Sequence, residues 1–161
     1  MNKQRNILRL CVVYQLATKD RQPDFQSKSS SEGEKESSAV VGVLKKRLAL
    51  VDDDLFVRSM FETVLASHGF DIVASMSDGS EIVESIDKMD PMPDIILLDE
   101  RMPRMSGVEA CKIIHAKHPL ISIVFVTADE SVTQRAKEAG ARAFLFKPVS
   151  FSQLISLINS L

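Results

Sequence analysis

Five polar residues follow short apolar runs in this 161-residue chain, and their types could serve a single chemistry: Asp52, Asp53, Asp99, Thr127 and Lys147. The run before Asp99 has four apolar residues bounded by acids, which is typical of a strand buried on both faces of a parallel sheet. The carboxyl ends of such strands form the edge at which open α/β sheets bind ligands. Three carboxylates gathered there would repel one another by about 4 kcal/mol per pair at 4 Å and an effective dielectric constant near 20, so a cation must accompany them.

The side chains that would join these carboxylates indicate phosphoryl transfer. Oxygen ligands of this kind favour Mg²⁺, which uses one or two carboxylates together with water and phosphate oxygens. Lys147 supplies a point charge for an anionic phosphoryl oxygen, and Thr127 offers a hydroxyl donor. Asp99 is then left as the nucleophile toward phosphorus, because carboxylates form aspartyl-phosphate intermediates. Charge on the transferring group would be met by Mg²⁺ and Lys147.

Each of these residues also has a simpler interpretation when it is taken alone. The aspartates after the first run could form a charged turn that caps a helix, and Asp54 is expected to be only such a cap. Asp99 could be a turn former, Thr127 an ordinary strand residue and Lys147 a solvated loop charge. Their coincidence at four strand ends favours a shared site.

The elements that would position this site alternate regularly from Arg47 onward. Each gap between apolar runs is long enough for the crossover helix that parallel strands require. We therefore expect an α/β fold, a doubly wound (βα)5 parallel sheet of flavodoxin-like strand order 2-1-3-4-5 in three layers. The predicted strands are residues 48–51, 72–74, 95–98, 121–126 and 143–146.

Two of the predicted helices have contrasting apolar stripes. The fourth helix, near residues 130–139, has a thin stripe of Val132, Ala136 and Ala139, which predicts a loosely held helix of the kind found in switching motions. The first helix, with Gly69 as its stop, has a broad stripe of Phe56, Met60, Phe61, Val64, Leu65 and His68.

Residues 1–46 differ in composition from the predicted domain at 47–161. From Gln26 to Ser38 the chain is dominated by Ser, Glu, Lys and Gly, so we expect an N-terminal extension that is largely a disordered linker. A non-native start, or a remnant of an upstream domain, is the alternative. The apolar segment from Ile7 to Leu16 is interrupted by Arg9 and is too short to span a bilayer, which disfavours a targeting signal.

Charge and cysteine content exclude other classes of protein. A net charge of −2 and a pI near 5.9 provide no basic field for a phosphate backbone, so we expect no direct nucleic-acid binding. We also expect no membrane association. Cys11 and Cys111 lack the spacing of a disulfide framework or a zinc site, and His68, His115 and His118 show no ligand spacing with the carboxylates. A cytoplasmic chain is the expectation.

Four motifs together resemble the receiver domain of two-component response regulators, in its stand-alone, chemotaxis-type form. They are Val51-Asp52-Asp53-Asp54, Leu97-Leu98-Asp99-Glu100-Arg101-Met102-Pro103-Arg104-Met105-Ser106-Gly107, Val126-Thr127-Ala128 and Phe146-Lys147-Pro148. The resemblance covers Arg47 to Leu161. It implies that Asp99 is the phosphoacceptor and that Thr127 and Lys147 contact the phosphoryl group.

The resemblance also implies a metal site, a cis bond and a switch residue. Mg²⁺ would be coordinated by Asp52, Asp53 and Asp99 with the backbone carbonyl of Arg101. The Lys147–Pro148 bond would be cis. Phe144 occupies the family's aromatic switch position.

Three neighbours of the site invite comment. Glu100 stands where the family often has an apolar residue, and pleat alternation should turn it away from Asp99, onto the rim of the site. Arg101 and Asp129 would flank the phosphoryl group and pair across the mouth of the site. We expect this pair to tune the lifetime of the phosphorylated state by restricting the attacking water.

The leading function is a phosphorylation-dependent signalling switch in a phosphorelay. A histidine kinase or histidine phosphotransfer protein would donate the phosphoryl group, and a downstream protein would bind the face of helix 4, strand 5 and helix 5. We expect the output to come from a partner protein, a phosphorelay step or a domain outside this sequence, and we expect no enzyme with a separate substrate. One alternative is a receiver-like adaptor that is never phosphorylated. A phosphatase of the haloacid-dehalogenase type is disfavoured, because Arg101 stands where its acid/base aspartate would be.

Overall fold

The computed structural model describes residues 45–161, in which five strands alternate with five α-helices. The strands are β1 Arg47–Val51, β2 Asp71–Met76, β3 Ile95–Leu98, β4 Ser122–Thr127 and β5 Ala143–Phe146. The helices are α1 Leu55–Ser67, α2 Gly79–Ser85, α3 Gly107–Lys117, α4 Thr133–Glu138 and α5 Phe151–Ser160. The linker predicted for residues 1–46 lies almost wholly outside the described residues and stays a prediction. No helix in the described range is long and apolar enough to cross a bilayer.

The five strands form one parallel sheet in the order β2-β1-β3-β4-β5, which confirms the predicted topology. The predicted bounds of β3 and β5 agree with the structure, and β2 is longer than predicted at both ends. Its residues are mostly half-buried, because β2 is an edge strand, and this weakened its apolar signal in the sequence.

Two hydrophobic clusters fill the space on either side of the sheet. Alternate residues of β3 point to opposite faces, so Ile96 and Leu98 join one cluster while Ile95 and Leu97 join the other. The first cluster packs under α2, α3 and α4, and the second packs under α1 and α5. The predicted three-layer arrangement is therefore confirmed.

Helix α1 begins with the predicted cap, but its apolar stripe is shorter than predicted. The Asp54 side chain accepts a hydrogen bond from the Phe56 N–H, which confirms the capping role. Phe56 itself is 45% exposed, so its place in the buried stripe was wrong. The first turn of α1 lies at the edge of the sheet, where the strands have ended. Only Phe61, Val64 and Leu65 are fully covered.

Helix α4 is short and carries the thin apolar stripe noted in the sequence. A 3-10 turn at Glu130–Val132 precedes the six residues of α4. Val132, Ala136 and Ala139 are all buried. Their small side chains hold this segment through little apolar area, and its loose attachment stays a prediction.

Gly107 lets α3 begin directly against the chain that leaves β3. Its N–H donates to the Glu100 carbonyl at 3.0 Å, and a Cβ added at this position would lie 2.2 Å from the carbonyl oxygen of Asp99. Any side chain here would push α3 away from the edge of the sheet. The start of α3 and the position of Asp99 are therefore coupled.

Gly107→Ala is expected to destabilise the domain by about 3 kcal/mol, since the added methyl overlaps backbone that cannot move aside. Gly69→Ala is the matched control, because Gly69 has open space around its Cβ position and only a positive φ of +88°, which costs about 1 kcal/mol in an alanine. Urea unfolding of both variants measures the difference. Equal losses would contradict the close contact at Gly107.

Candidate functional site

Three carboxylates meet at the carboxyl edge of the sheet. Asp52 and Asp53 follow β1, and Asp99 follows β3, whose strand is the neighbour of β1. One oxygen from each lies within 4.8 Å of the others. Asp52 and Asp99 are buried, whereas Asp53 is exposed to solvent. The structure therefore brings together all three aspartates that the sequence singled out.

Lys147 lies between the two buried carboxylates. Its Nζ donates to Asp52 Oδ2 at 2.7 Å and to Asp99 Oδ1 at 3.0 Å. Burial alone would lower the pKa of Lys147, but the hydrogen bond and charge of Asp52, together with those of Asp99, outweigh burial and raise this pKa. The lysine is therefore a permanent cation at neutral pH. It offsets part of the repulsion between the aspartates.

The other carboxylate oxygens are held by backbone amides. Asp52 Oδ1 accepts from the Asp54 N–H at 2.9 Å, and Asp99 Oδ2 accepts from the Arg101 N–H at 3.1 Å. Burial raises the pKa of Asp52, and the hydrogen bond from Lys147 offsets only part of that rise. Each buried aspartate is thus oriented by one amide and one ammonium group, with Asp53 on the solvent side.

Arg58 is a site neighbour that sequence reasoning missed. It lies one turn into α1, and its guanidinium donates to the Asp52 carbonyl oxygen. This contact ties α1 to the acidic turn. A cation four residues after a helix cap was the available signal, because that spacing returns a side chain to the same side of the helix.

Thr127 ends β4 at the same edge of the sheet. Its side chain is 1% exposed, and its hydroxyl accepts from the Asp129 N–H at 3.1 Å. The Lys147 N–H donates to the Thr127 carbonyl oxygen at 2.9 Å. The backbone of Thr127 and that of Lys147 are therefore fixed to each other beside the acidic cluster.

Arg101 and Asp129 pair as expected, and Glu100 borders the mouth of the site but is buried there. Arg101 Nη2 donates to Asp129 Oδ2 at 3.0 Å. Glu100 is only 7% exposed, because its carboxylate accepts from the Val108 N–H at 2.9 Å and pairs with Arg135 at 3.3 Å. Burial raises the pKa of Glu100, and the hydrogen bond from the Val108 N–H and the charge of Arg135 offset only part of that rise.

Phe144 is half-buried on β5 and contacts the core and α4. Its ring stacks on Phe125 with centroids 5.8 Å apart, and Lys137 Nζ lies 6.0 Å from its centroid.

The cis peptide bond predicted between Lys147 and Pro148 is present, and a second cis bond precedes Pro91. The mouth of the site is an open cleft lined by Asp53, Glu100, Arg101, Met102, Pro103, Ser106 and Asp129.

Comparison with known proteins identifies the family. The response regulator receiver domain family matches residues 48–159. The chain belongs to this family. It is 31% identical over 116 residues to the chemotaxis protein CheY of Thermotoga maritima, covering 71% of this chain and 95% of CheY. It is 35% identical over 116 residues to the transcriptional regulatory protein PdtaR of Mycobacterium tuberculosis.

The PdtaR match covers 71% of this chain and 55% of PdtaR, so the chain spans about half the length of that relative. Among solved structures, the CheX–CheY–BeF3–Mg²⁺ complex from Borrelia burgdorferi is similar, with a TM-score of 0.67 and 26% identity. That match covers 71% of this chain and 87% of the other. The response regulator domain of Thermotoga maritima CheB has a TM-score of 0.62 and 30% identity, covering 72% and 92% of the two chains.

Residues 48–159 are therefore a response regulator receiver domain of two-component systems, and receiver domains are signalling modules. Receiver domains bind Mg²⁺ at an acidic pocket and interact with histidine kinases and downstream effectors. The described residues fit such an ion, since three carboxylates converge and Mg²⁺ prefers oxygen ligands. Asp53 is the exposed member of the three, and neither Lys147 bond involves it.

Mg²⁺ is expected to stabilise the wild-type domain by about 2.7 kcal/mol at a concentration one hundred times its Kd. Asp53→Asn should lose most of this gain, yet be more stable than wild type in EDTA because one repelling charge is gone. Asp71→Asn, an exposed aspartate at the opposite edge of the sheet, is the control. Urea unfolding with and without Mg²⁺ measures both effects. The same Mg²⁺ gain in Asp53→Asn as in wild type would exclude this site.

Proposed function

We propose that this protein is a phosphorylation-dependent switch of a two-component phosphorelay, with residues 47–161 as the receiver domain and Asp99 as the phosphoacceptor. The observation that carries the proposal is the position of Lys147 Nζ, bonded to both Asp52 and Asp99 where three carboxylates meet. A buried cation beside an acidic cluster suits an incoming phosphoryl group, whose charge both lysine and metal can meet. Membership in the receiver family supports this assignment.

The phosphodonor in this proposal is a phosphohistidine of a histidine kinase or histidine phosphotransfer protein. An Asp99 carboxylate oxygen attacks phosphorus, the P–N bond of the donor breaks, and its electron pair returns to the imidazole nitrogen. Lys147 contacts a phosphoryl oxygen as a point charge, and the Thr127 hydroxyl donates to another. The protein promotes its own phosphorylation and dephosphorylation and has no separate substrate.

Asp52, Asp53, Asp99 and the Arg101 carbonyl would hold the Mg²⁺ ion. When bound, the ion supplies positive charge that stabilises the phosphoryl oxygens in the transition state. Asp53 is exposed, whereas both oxygens of Asp52 are already hydrogen-bonded, to Lys147 and to the Asp54 N–H. We assign Asp53 to the ion alone, and Asp52 both to the ion and to holding Lys147.

The output in this proposal is a repacked face of α4, β5 and α5. Thr127 moves toward the phosphoryl group, and Phe144 fills the space that it leaves. The contacts of Phe144 with Phe125 in the core and with Lys137 on α4 support such a path. Phe146, 41% exposed on β5, is an apolar contact for a downstream protein on that face. In this function the protein works in the cytoplasm, where its phosphodonor would also be found.

Incubation with Mg²⁺ and acetyl phosphate is expected to add the mass of one phosphoryl group to the intact protein. Asp99→Asn should add none, since an amide is not a nucleophile at this position, and Asp71→Asn should behave as wild type. Intact-mass spectrometry gives the result. An adduct on Asp99→Asn would assign the acceptor elsewhere. No wild-type adduct from acetyl phosphate or a phosphohistidine donor would favour the non-phosphorylated adaptor.

Arg101→Ala and Asp129→Ala are each expected to speed dephosphorylation of Asp99 about tenfold, equivalent to about 1.4 kcal/mol of barrier. The physical reason is their pairing at 3.0 Å across the mouth of the site, which restricts the approach of water. The decay of the phosphoprotein measures the rates, with the exposed Arg142→Ala as control.

If the two residues act as a pair, the double variant should decay no faster than either single variant. Unchanged decay in both single variants would show that the pair does not control the lifetime.

A further inference from the structure

Asp78 is a buried anion outside the acidic cluster, in the turn between β2 and α2. It is 2% exposed. Its Oδ1 accepts from the Ser80 N–H at 2.9 Å and from the Ser80 hydroxyl at 2.7 Å. Its Oδ2 accepts from the Arg104 N–H at 2.8 Å. Arg104 belongs to the loop between β3 and α3, so one carboxylate joins two separate turns.

Further contacts hold the same two turns together. Arg104 Nη2 donates to Glu81 Oε1 at 2.9 Å, on the exposed side of the contact. A Cβ added to Gly79 would lie 2.7 Å from the Met105 carbonyl oxygen, so the two backbones are in direct contact. The turn after β2 therefore clamps the loop after β3.

The clamped loop runs from residue 101 to residue 106 and is fixed at both ends near Asp99. At its start, the Arg101 N–H donates to Asp99 Oδ2. At its end, the Gly107 N–H donates to the Glu100 carbonyl. Asp78 holds the middle of the loop by accepting the hydrogen bond from the Arg104 N–H. Because the Arg101 carbonyl belongs to this loop, the position of that oxygen relative to the Asp99 carboxylate depends on where Asp78 places the loop.

The charge of Asp78 persists at neutral pH. Burial would raise its pKa, but backbone hydrogen bonds from Ser80, Arg104 and Met105 outweigh burial and lower the pKa to about 2. A buried carboxylate is costly unless it is hydrogen-bonded, and here the donors are mostly main-chain amides. An amide side chain cannot replace it fully, because its nitrogen would face a donor.

We propose that Asp78 is a positioning residue for the Mg²⁺ site, holding the loop of residues 101–106 so that the Arg101 carbonyl and the Asp99 carboxylate are presented together. The inference rests on the proposed function, in which that site binds Mg²⁺. Residues that orient metal ligands without touching the metal typically change its affinity about 10- to 100-fold when they are replaced.

A simple helix cap is the competing role for Asp78. The bond to the Ser80 N–H caps α2, but the bond from Arg104 lies outside that helix and is not explained by capping. Loss of a cap would lower stability without changing the Mg²⁺ affinity of the folded molecules. The two roles are therefore separable by one choice of variant.

Asp78→Ser separates them, because serine caps a helix well but is too short to reach the Arg104 amide. We expect Asp78→Ser and Asp78→Asn to bind Mg²⁺ about tenfold more weakly. Asp87→Asn removes an exposed acid in the 3-10 turn after α2 that pairs with Lys117 and His118 at the end of α3, and this variant should bind Mg²⁺ as wild type does. Amide chemical shifts during a Mg²⁺ titration give the affinities, at a temperature where thermal unfolding shows every variant folded.

Two further readouts accompany the titration. Without Mg²⁺, the Arg104 and Met105 amides should exchange with solvent faster in Asp78→Ser than in wild type. With acetyl phosphate, the phosphorylation rate of Asp78→Ser should return close to the wild-type rate at saturating Mg²⁺, because the defect lies in affinity. Slow phosphorylation that saturating Mg²⁺ does not restore would overturn the positioning role.

The remaining outcomes distinguish this inference from the proposed function. Wild-type affinity in Asp78→Ser, with normal Mg²⁺ binding by wild type, would overturn the positioning role alone. Unchanged exchange of the Arg104 amide would overturn the clamp on which it depends. Wild-type protein that binds no Mg²⁺ would overturn the proposed function, and the positioning role with it.

Discussion

The site depends on the repulsion among three carboxylates held at one edge of a parallel sheet. Asp52 and Asp99 are buried there and share one ammonium group, that of Lys147. One cation cannot neutralise three acids, so the fold keeps an excess of negative charge at this edge. Such an excess attracts a divalent ion and, with that ion, a phosphoryl group. The chemistry proposed for the protein follows from this imbalance.

The rest of the domain keeps the acids from moving apart. The cores on the two faces of the sheet fix β1 and β3 side by side, with Val51 opposite Leu98. Amides of the following turns then orient each buried carboxylate. Gly107 and Asp78 act on the backbone beyond β3, one by allowing close approach and the other by accepting amide hydrogen bonds. Stability and site geometry therefore depend on the same backbone contacts.

Glu100 shows where local pattern reasoning failed. The alternation of a strand correctly turns its side chain away from Asp99, but alternation says nothing of what covers it. In the structure, α3 supplies an amide and α4 supplies Arg135, so the acid is buried between two helices. The prediction for Phe56 was wrong in the opposite direction, since a residue expected to be buried is exposed. Helical spacing identifies one face of a helix but does not say how far the sheet extends beneath that face. The contact of Arg58 with the Asp52 carbonyl and that of Asp78 with the Arg104 N–H were missed, because backbone groups have no residue type in a sequence.

The amino-acid sequence by itself determined the order of strands and helices, the sheet topology, the N-terminal cap of α1 and the identity of the residues at four strand ends. These features follow from periodicity, crossover geometry and side-chain type, all of which are local or topological. Only the tertiary structure decided which carboxylate oxygens meet Lys147, that Asp53 alone of the three faces solvent, and that the turn after β2 holds the loop after β3. Distances of 3 Å or less between residues up to 95 positions apart depend on how the helices pack on the sheet, and the spacing of residues along one chain does not contain that information.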